Sequence, residues 1–387
     1  MNLSQHLFKS KNLILFACCT LTLLCLAYFL KGFYHLVIQP DMAKDLYSRW
    51  QEQQYIYRGL YPYNIRNNSP LVISEIGPIV SGGYPPWAFF TGFIIFPPIS
   101  WELTRLYHGL LNLVCLFIEG IFAYQIGRPY GQLQAWFTTV SCLSISSHVT
   151  TLGVGQYGII INAFLIGVFW LLETRQDIMA GLLLGLALAK PNISALYFFI
   201  LIICKRNLSI LSCCIYILIA SLTIGFIVKL SPLYMLFNQI QVASYFAESG
   251  NSGINILIDM GINPLLAIIL SGLLATLILI IIFYCIKNSS LIYLFAIASV
   301  IGRLGTYHLI YDNVMLFFLL LSLIKLNYDK QNRSSLIILG LVLLSLVIPA
   351  KVVDLSYLRN LQTIIWIGAT IYILLVKKDI NRALQSQ

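Results

Sequence analysis

Residues 265–286 read LLAIILSGLLATLILIIIFYCI, and this stretch decides the class of protein. It contains no charged residue and exceeds the roughly 20 apolar residues that cross a bilayer core about 30 Å thick. Similar apolar runs occupy residues 12–30 and 208–228. Of the 387 residues, 59% are hydrophobic and only 10% are charged, which is more apolar surface than a soluble domain covers. The sequence therefore predicts an all-α polytopic membrane protein.

The first apolar run, the cysteines and the net charge bear on processing and partners. Residues 12–30 are too long for the core of a cleaved signal peptide, and no small-residue cleavage site follows them, so we expect a retained signal anchor. The nine cysteines lie in or beside apolar runs, which predicts neither disulfides nor a metal site. The net charge of +10 is spread between the spans. It therefore predicts contact with anionic lipids and no binding of nucleic acid.

The distribution of basic residues predicts the topology. With Lys9 and Lys11 inside the cell, residues 31–100 form a long first extracytoplasmic loop. The loop holds an amphipathic stretch at 41–57 and an apolar run at 87–99, which we interpret as a re-entrant or interfacial helix because it is too short to span. Further spans are expected near 103–126, 133–152, 157–172, 208–230, 264–286, 289–303, 311–326, 334–350 and 361–376, and a broken pair at 178–204. We expect one domain, 1–387, of 11 to 13 transmembrane helices in the cell membrane.

On this topology, polar and ionisable residues that would be costly in a bilayer gather at one outer face. They are Asp41, Asp45, Arg49, Glu52, Gln156, Lys190, Arg303, His308 and Asp312. Their convergence predicts an active or binding site that faces the extracytoplasmic side.

Asp45 and Arg49 stand four residues apart, which on a helix places both on one face. One interpretation is a solvated surface pair. The other is a general base, oriented by a cation, that takes the proton of an acceptor hydroxyl. Asp41 is the competing base, and a divalent metal held by Asp41 and Asp45 is a further alternative.

Cations near this face suggest a site for phosphate. Lys190 lies at the break of an apolar hairpin, where it either snorkels to the interface or meets an anion. Arg303 and His308 frame a polar turn; an arginine fork suits phosphate oxygens, whereas a histidine at a helix end is commonly structural. Gln156 either binds a sugar or caps a helix. Asp312, at the start of a later span, is a candidate for substrate binding.

Aromatic residues beside proline form two motifs, Tyr61-Pro62-Tyr63 and Tyr84-Pro85-Pro86-Trp87. Tyr63 and Tyr84 could provide a platform for a sugar ring. Anchoring at the membrane interface is the alternative, because interface belts use the same residue types.

Several short motifs follow one another in the order typical of a known family. They are Asp45-Leu46, Gly59-Leu60-Tyr61-Pro62-Tyr63, Tyr84-Pro85-Pro86, Gly155-Gln156, the run Ala180 to Ala187 with Lys190-Pro191, and Tyr311-Asp312. From about residue 12 to residue 326 the chain resembles glycosyltransferase family 87, the polyprenol-phosphate-mannose-dependent alpha-mannosyltransferase-like family of the GT-C superfamily.

The resemblance implies a GT-C-like multi-pass fold with a catalytic aspartate in the first extracytoplasmic loop. It implies a polyprenyl-phosphate sugar as donor and a lipid or glycan as acceptor. Asp45 stands at the family's spacing from Gly59, which favours it over Asp41 as the base. Lys190 matches the family's Lys-Pro motif, and His308 approximates its polar turn, which places both near the donor phosphate.

The residues themselves agree with a lipid-borne donor. There is no glycine-rich phosphate loop between a strand and a helix, so a nucleotide-sugar domain is not predicted. Together with the resemblance, which implies a mannose-like hexose, this leads us to expect an inverting transfer without a cofactor. Asp45 would act as base, and Lys190, Arg303 and His308 would stabilise the leaving phosphate.

Two other functions fit a polytopic protein with an outer polar site. A transporter or flippase for polyprenyl-linked substrates would place its polar groups near the midplane and show related halves. An O-antigen ligase or polymerase would favour a large outer loop late in the chain. Here the longest predicted outer loop comes first and holds the carboxylates.

Overall fold

The computed structural model describes residues 11–39, 41–64, 70–79, 82–250, 252–349, 352 and 356–385. Regular structure in these ranges is helical throughout, with no strand, as the composition predicts. The α-helices are α1 (Lys11–Phe33), α2 (Lys44–Tyr57), α3 (Pro70–Ile76), α4 (Pro86–Ile95), α5 (Trp101–Gly127), α6 (Gln132–Leu143), α7 (Ser147–Val154), α8 (Gly158–Glu173), α9 (Asp177–Ala187), α10 (Pro191–Ser194), α11 (Phe198–Ile203), α12 (Asn207–Val228), α13 (Pro232–Ser244), α14 (Gly253–Asp259), α15 (Pro264–Cys285), α16 (Leu291–Gly305), α17 (Phe317–Lys330), α18 (Arg333–Val347) and α19 (Ser356–Gln385). The shorter helical segments are a π-helix (Tyr34–Ile38) and 3₁₀ turns at Arg128–Tyr130, Ala195–Tyr197, Ala247–Ser249 and Ile310–Leu316.

Six helical segments within the described ranges are long and apolar enough to cross a bilayer. They are Lys11–Ile38, Trp101–Tyr130, Asn207–Val228, Pro264–Cys285, Ile310–Lys330 and Tyr357–Val376. Counting the bent pair α7 and α8 as one span gives up to seven. The protein is thus a multi-pass membrane protein, and the three apolar runs that predicted this each lie in one of these segments.

Other apolar helices are shorter than expected, so the six or seven spans found by length in the described ranges are fewer than the 11 to 13 predicted. The helix within the predicted re-entrant run ends at Ile95, before the Pro97-Pro98 pair. The span predicted at 133–152 is divided between α6 and α7. Ser146 explains the division, because its backbone N–H and its hydroxyl both donate to carbonyls at the end of α18, of Leu346 and Ile348 respectively.

The centre of the bundle is the segment Ile310–Lys330. Most of its residues are buried, whereas fewer than half of the residues in the apolar part of each other span are buried. Aromatic rings of neighbouring helices enclose it: Phe318 packs against Tyr197 and Phe295, with ring centroids 5.9 and 5.1 Å away. The core therefore holds the start of this segment, at Ile310, in a fixed position beside two helix breaks.

Those two breaks position polar side chains inside the bundle. Helices α7 and α8 meet at 114°, with Gly155 in the left-handed region at φ +75°. Helix α9 ends at Ala187, and Lys190 takes an extended φ of −121° directly before Pro191. A residue before proline avoids the helical conformation, so the Lys-Pro sequence itself stops the helix. The break between α7 and α8 directs the side chain of Gln156, and the break after α9 directs that of Lys190, toward the same space.

Candidate active site

A cavity of about 700 Å³ opens where the two breaks, helix α2 and the start of the central segment meet. Helix α2 supplies Asp45 and Arg49 to its wall, and the two breaks supply Gln156 and Lys190. Asp312, in the 3₁₀ turn that begins the central segment, completes the polar side. Residues far apart in the sequence thus share one wall.

Asp45 reaches the cavity through the close approach of α2 to the α7–α8 break. A Cβ atom at Gly155 would lie 2.3 Å from the Cβ of Leu46, so only glycine permits this contact. The Nε2 of Gln156 donates to Asp45 Oδ2 at 2.7 Å. Within the described residues, the other carboxylate oxygen of Asp45 accepts no hydrogen bond, which leaves it available to an acceptor hydroxyl.

Lys190 supplies a buried cation to this wall of the cavity. Its Nζ donates to Gln156 Oε1 at 3.0 Å and to Asp312 Oδ1 at 2.6 Å. An ammonium group has three N–H donors, so a third remains for a ligand in the cavity. Its charge also faces the ring of Tyr311, whose centroid is 5.2 Å from Nζ. A hydrogen-bonded line therefore runs from Asp45 through Gln156 and Lys190 to Asp312.

His308 and Arg303 lie behind this wall. His308 is fully buried, with Nδ1 3.1 Å from Asp312 Oδ2 and Nε2 2.8 Å from Thr306 Oγ1. Arg303 donates from Nε to Asn313 Oδ1 at 2.6 Å, and it does not belong to the cavity lining. Both residues are close to the site, and His308 touches it through Asp312.

Arg49 forms a second buried cation on the α2 side of the cavity. Its guanidinium pairs with Glu52 at 2.5 Å and lies 4.3 Å from the centroid of the Tyr84 ring. Burial alone would lower the pKa of Arg49, but the Glu52 carboxylate and nearby tyrosines raise it above its ordinary value, so the side chain stays charged. The expected partner of Arg49 was Asp45, whereas Glu52, one turn further along α2, takes that place.

The two tyrosines of the aromatic motifs differ in their access to the cavity. Tyr84 lines it, and burial raises the pKa of its hydroxyl despite the opposing charges of Lys190 and Arg49. Tyr63 lies behind, donating its hydroxyl to Glu52 Oε2 at 3.3 Å and accepting the backbone N–H of Tyr84 at 3.1 Å. Tyr63 is therefore a support for Tyr84 in this structure.

Asp41 lies apart from the other predicted site residues. Its side chain is exposed, and it is not part of the cavity lining. The geometry therefore brings Asp45, and not Asp41, to the cations of the cavity, and it does not bring the two carboxylates to a common point on that wall.

The opposite side of the cavity is apolar, and its residues were not among those predicted from the sequence. Its wall includes Phe246 and Ile254 from the segment between α12 and α15, together with Ile268 and Gly272 from the membrane-spanning helix α15. A side chain at Gly272 would meet nothing within 4 Å, so open space lies over this helix. The cavity thus joins a charged end to an apolar end beside a membrane span.

Tyr311 was also missed as a site residue, although it directly precedes Asp312 in a motif the sequence analysis used. Its hydroxyl accepts from Gln156 Nε2 at 3.2 Å. The signal in the sequence was the position next to Asp312; the contact itself depends on the bend between α7 and α8.

Comparison with known proteins agrees with this arrangement of a membrane bundle around a polar cavity. Searches of curated proteins and of solved structures each found no match. The model of the family described as glycosyltransferase family 87 matches residues 83–307, which is more than half of the chain. The matched range includes Tyr84, Gln156 and Lys190 of the cavity and the two breaks that position them. The chain therefore belongs to glycosyltransferase family 87 and is a membrane glycosyltransferase.

Proposed function

We propose that this protein transfers a mannose-like hexose from a polyprenyl-phosphate donor to an acceptor on the extracytoplasmic side, with Asp45 as the general base. The observation that carries the proposal is that a carboxylate with one open oxygen shares a cavity with a cation that has one open N–H. A base and a phosphate-binding cation are the two groups that this chemistry needs.

In the proposed step, an acceptor hydroxyl attacks the anomeric carbon of the donor sugar. Asp45 takes the hydroxyl proton as the new carbon–oxygen bond forms. The bond between the anomeric carbon and the phosphate oxygen breaks, and its electron pair leaves on the phosphate, whose charge Lys190 stabilises. The attack comes from the face opposite the leaving group, so the anomeric configuration inverts.

His308 would act on the phosphate through Asp312 and Lys190, because both of its ring nitrogens already have partners. Arg303 would support the same wall through Asn313, which follows Asp312 in the 3₁₀ turn. Arg49 and Tyr84 would bind the sugar or the acceptor from the α2 side. Nine of the ten predicted residues lie in or beside the site, and we expect the tenth, Asp41, to be dispensable.

The apolar side of the cavity supports a lipid-linked donor. A polyprenyl chain attached to the phosphate at Lys190 would run over Ile268 and Gly272 toward the surface of α15, a membrane-spanning helix. Burial of such a chain against apolar side chains contributes about 0.8 kcal/mol per methylene group. A water-soluble nucleotide sugar would gain nothing from this surface.

The test uses purified protein in lipid nanodiscs, with polyprenyl-phosphate donors carrying mannose, glucose or galactose and an acceptor fraction from a deletion strain. Asp45→Asn should abolish transfer while leaving the thermal unfolding midpoint and donor binding close to wild type. Asp41→Asn is the matched control and should keep full activity. Transfer by the Asp45→Asn protein at the wild-type rate, or direct transfer from a nucleotide sugar, would contradict the proposal.

The orientation in the membrane has its own measurement. A single cysteine at position 45, in a chain whose native cysteines are replaced, should react with a membrane-impermeant maleimide added to intact cells. Labelling only after the membrane is broken would place the cavity on the cytoplasmic side and refute the proposed localisation.

A further inference from the structure

Gln156 occupies a position between the two charged groups of the cavity. Its carbonyl oxygen accepts from Lys190 at 3.0 Å, and its amide nitrogen donates to Asp45 at 2.7 Å and to the Tyr311 hydroxyl at 3.2 Å. A primary amide has two N–H donors, and both are therefore engaged within the protein. No donor of this side chain remains for a sugar.

Chemistry alone fixes the orientation of this amide. Lys190 carries only donors and an ionised Asp45 carries only acceptors, so the amide oxygen must face Lys190 and the amide nitrogen must face Asp45. The opposite orientation would set donor against donor and acceptor against acceptor. The amide can therefore bridge Asp45 and Lys190 in one orientation only.

The backbone of Gln156 is also held in place. The N–H of Gln156 donates to the carbonyl of Thr151 at 2.9 Å, and the left-handed Gly155 sets the direction in which the side chain leaves the break. Only 7% of the residue is exposed.

We propose that Gln156 is a positioning residue that holds Asp45 in the orientation of a base and couples it to Lys190, and that it does not itself bind the sugar. This inference rests on the proposed function, since it takes Asp45 as the base. One oxygen of Asp45 is tied to the amide, so the other points into the cavity toward the acceptor.

The key variant is Gln156→Glu, which keeps the shape of the side chain. An ionised glutamate accepts from Lys190 but cannot donate to Asp45, so two carboxylates face each other and one of them retains a proton. The acidic limb of the pH profile of kcat/KM should move to higher pH by about one unit or more. Activity that the variant loses on the acidic side of the profile should therefore return as the pH is raised.

Other ionisable groups must be considered for such a shift. Those that share the cavity with Asp45 are Lys44, Arg49, Tyr84, Lys190, Tyr307, Tyr311 and Asp312. Buried ionisable groups on α2 and on the helices packed against it, outside the cavity lining, are Glu52, Tyr55, Arg105, His108, Cys115, Glu119, His148 and Cys213. All of them are unchanged in the variant. Gln239→Glu is the matched control, because Gln239 lines the cavity but donates to the Gly83 carbonyl. It adds the same charge without touching Asp45 and should leave the acidic limb in place.

Gln156→Met gives an independent readout if the glutamate variant folds poorly. It removes all three hydrogen bonds of the side chain at nearly constant size, so kcat should fall by about 10²-fold through lost orientation while KM for donor and acceptor changes little. A raised KM with an unchanged kcat would show a sugar-binding role and overturn the inference. An unshifted acidic limb in a folded Gln156→Glu protein would overturn it as well. Absence of transfer by the wild-type protein would instead refute the proposed function.

Discussion

Replacement of Gly155 by alanine tests whether the close approach of α2 to the α7–α8 break creates the site. The new Cβ would lie 2.3 Å from the Cβ of Leu46, and the two atoms must move apart by about 1.2 Å or more to reach ordinary contact. Leu46 directly follows Asp45, and Gly155 directly precedes Gln156. The same displacement along the hydrogen bond from Gln156 to Asp45 would stretch it from 2.7 Å to about 3.9 Å, beyond hydrogen-bonding distance.

Two magnitudes follow from this geometry. A displacement of this size at a catalytic group costs about 10²-fold in rate, so kcat should fall to about 1% of wild type. The left-handed φ of +75° adds strain of roughly 1–2 kcal/mol for a residue with a Cβ atom, which should lower the thermal unfolding midpoint slightly. The loss of activity should thus far exceed the loss of folded protein.

The assay compares transfer rates and thermal unfolding for Gly155→Ala and a control in the same nanodiscs. Gly340→Ala is the control, because a Cβ atom at Gly340 of α18 would meet nothing within 4 Å. It should match wild type in both measurements. Wild-type kcat in folded Gly155→Ala protein would refute the argument that this close approach positions the base.

Three further outcomes follow from the same site. Asp312→Asn should lower the free energy of unfolding by about 3–5 kcal/mol, because Lys190 loses its buried partner. A Lys190→Met/Asp312→Leu protein should unfold at a higher temperature than Asp312→Asn alone, and the reverse order would contradict the ion-pair argument. Gly272→Trp should raise KM about tenfold for a long-chain donor and leave a short-chain analogue unaffected, whereas equal effects on both would remove the polyprenyl chain from this surface. Burial raises the pKa of Tyr84 above its ordinary value near 10, so this hydroxyl stays protonated up to about pH 9 and causes no loss of activity there. The pH profile of Tyr84→Phe should superimpose on that of wild type after scaling, and a changed alkaline limb would show that the hydroxyl titrates.

Apolar length alone predicted the class of fold. The runs at 12–30, 208–228 and 265–286 needed no partner to be recognised, because a bilayer imposes its thickness on each helix separately. Helix ends were less predictable: α1 continues through a π-helix to Ile38, and hydrogen bonds from Ser146 to the distant α18 divide a predicted span. Contacts between remote segments leave no periodic signal.

The same distinction applies to the candidate site. Lys190 could be singled out because a charge at a break in an apolar hairpin is costly wherever the hairpin lies. Its partners could not be identified, because the pairing with Asp312 depends on how the central segment meets α10. Likewise, the helical period allowed Arg49 either Asp45 or Glu52 as a partner, and the tertiary contact of Asp45 with Gln156 left Arg49 to Glu52. Local rules identified the residues, and packing decided which of them meet.

The distance in sequence between Lys190 and Asp312, 122 residues, has a consequence for biogenesis. A ribosome makes the lysine long before its counterion, so the nascent hairpin enters the translocon with an uncompensated charge. We expect that hairpin to remain at the membrane surface until the later segment arrives, which makes pairing of the two side chains a late step of maturation. A nascent chain stalled before residue 312 should then leave the lysine reactive to an aqueous amine reagent, and one stalled well after the end of α17 should protect it.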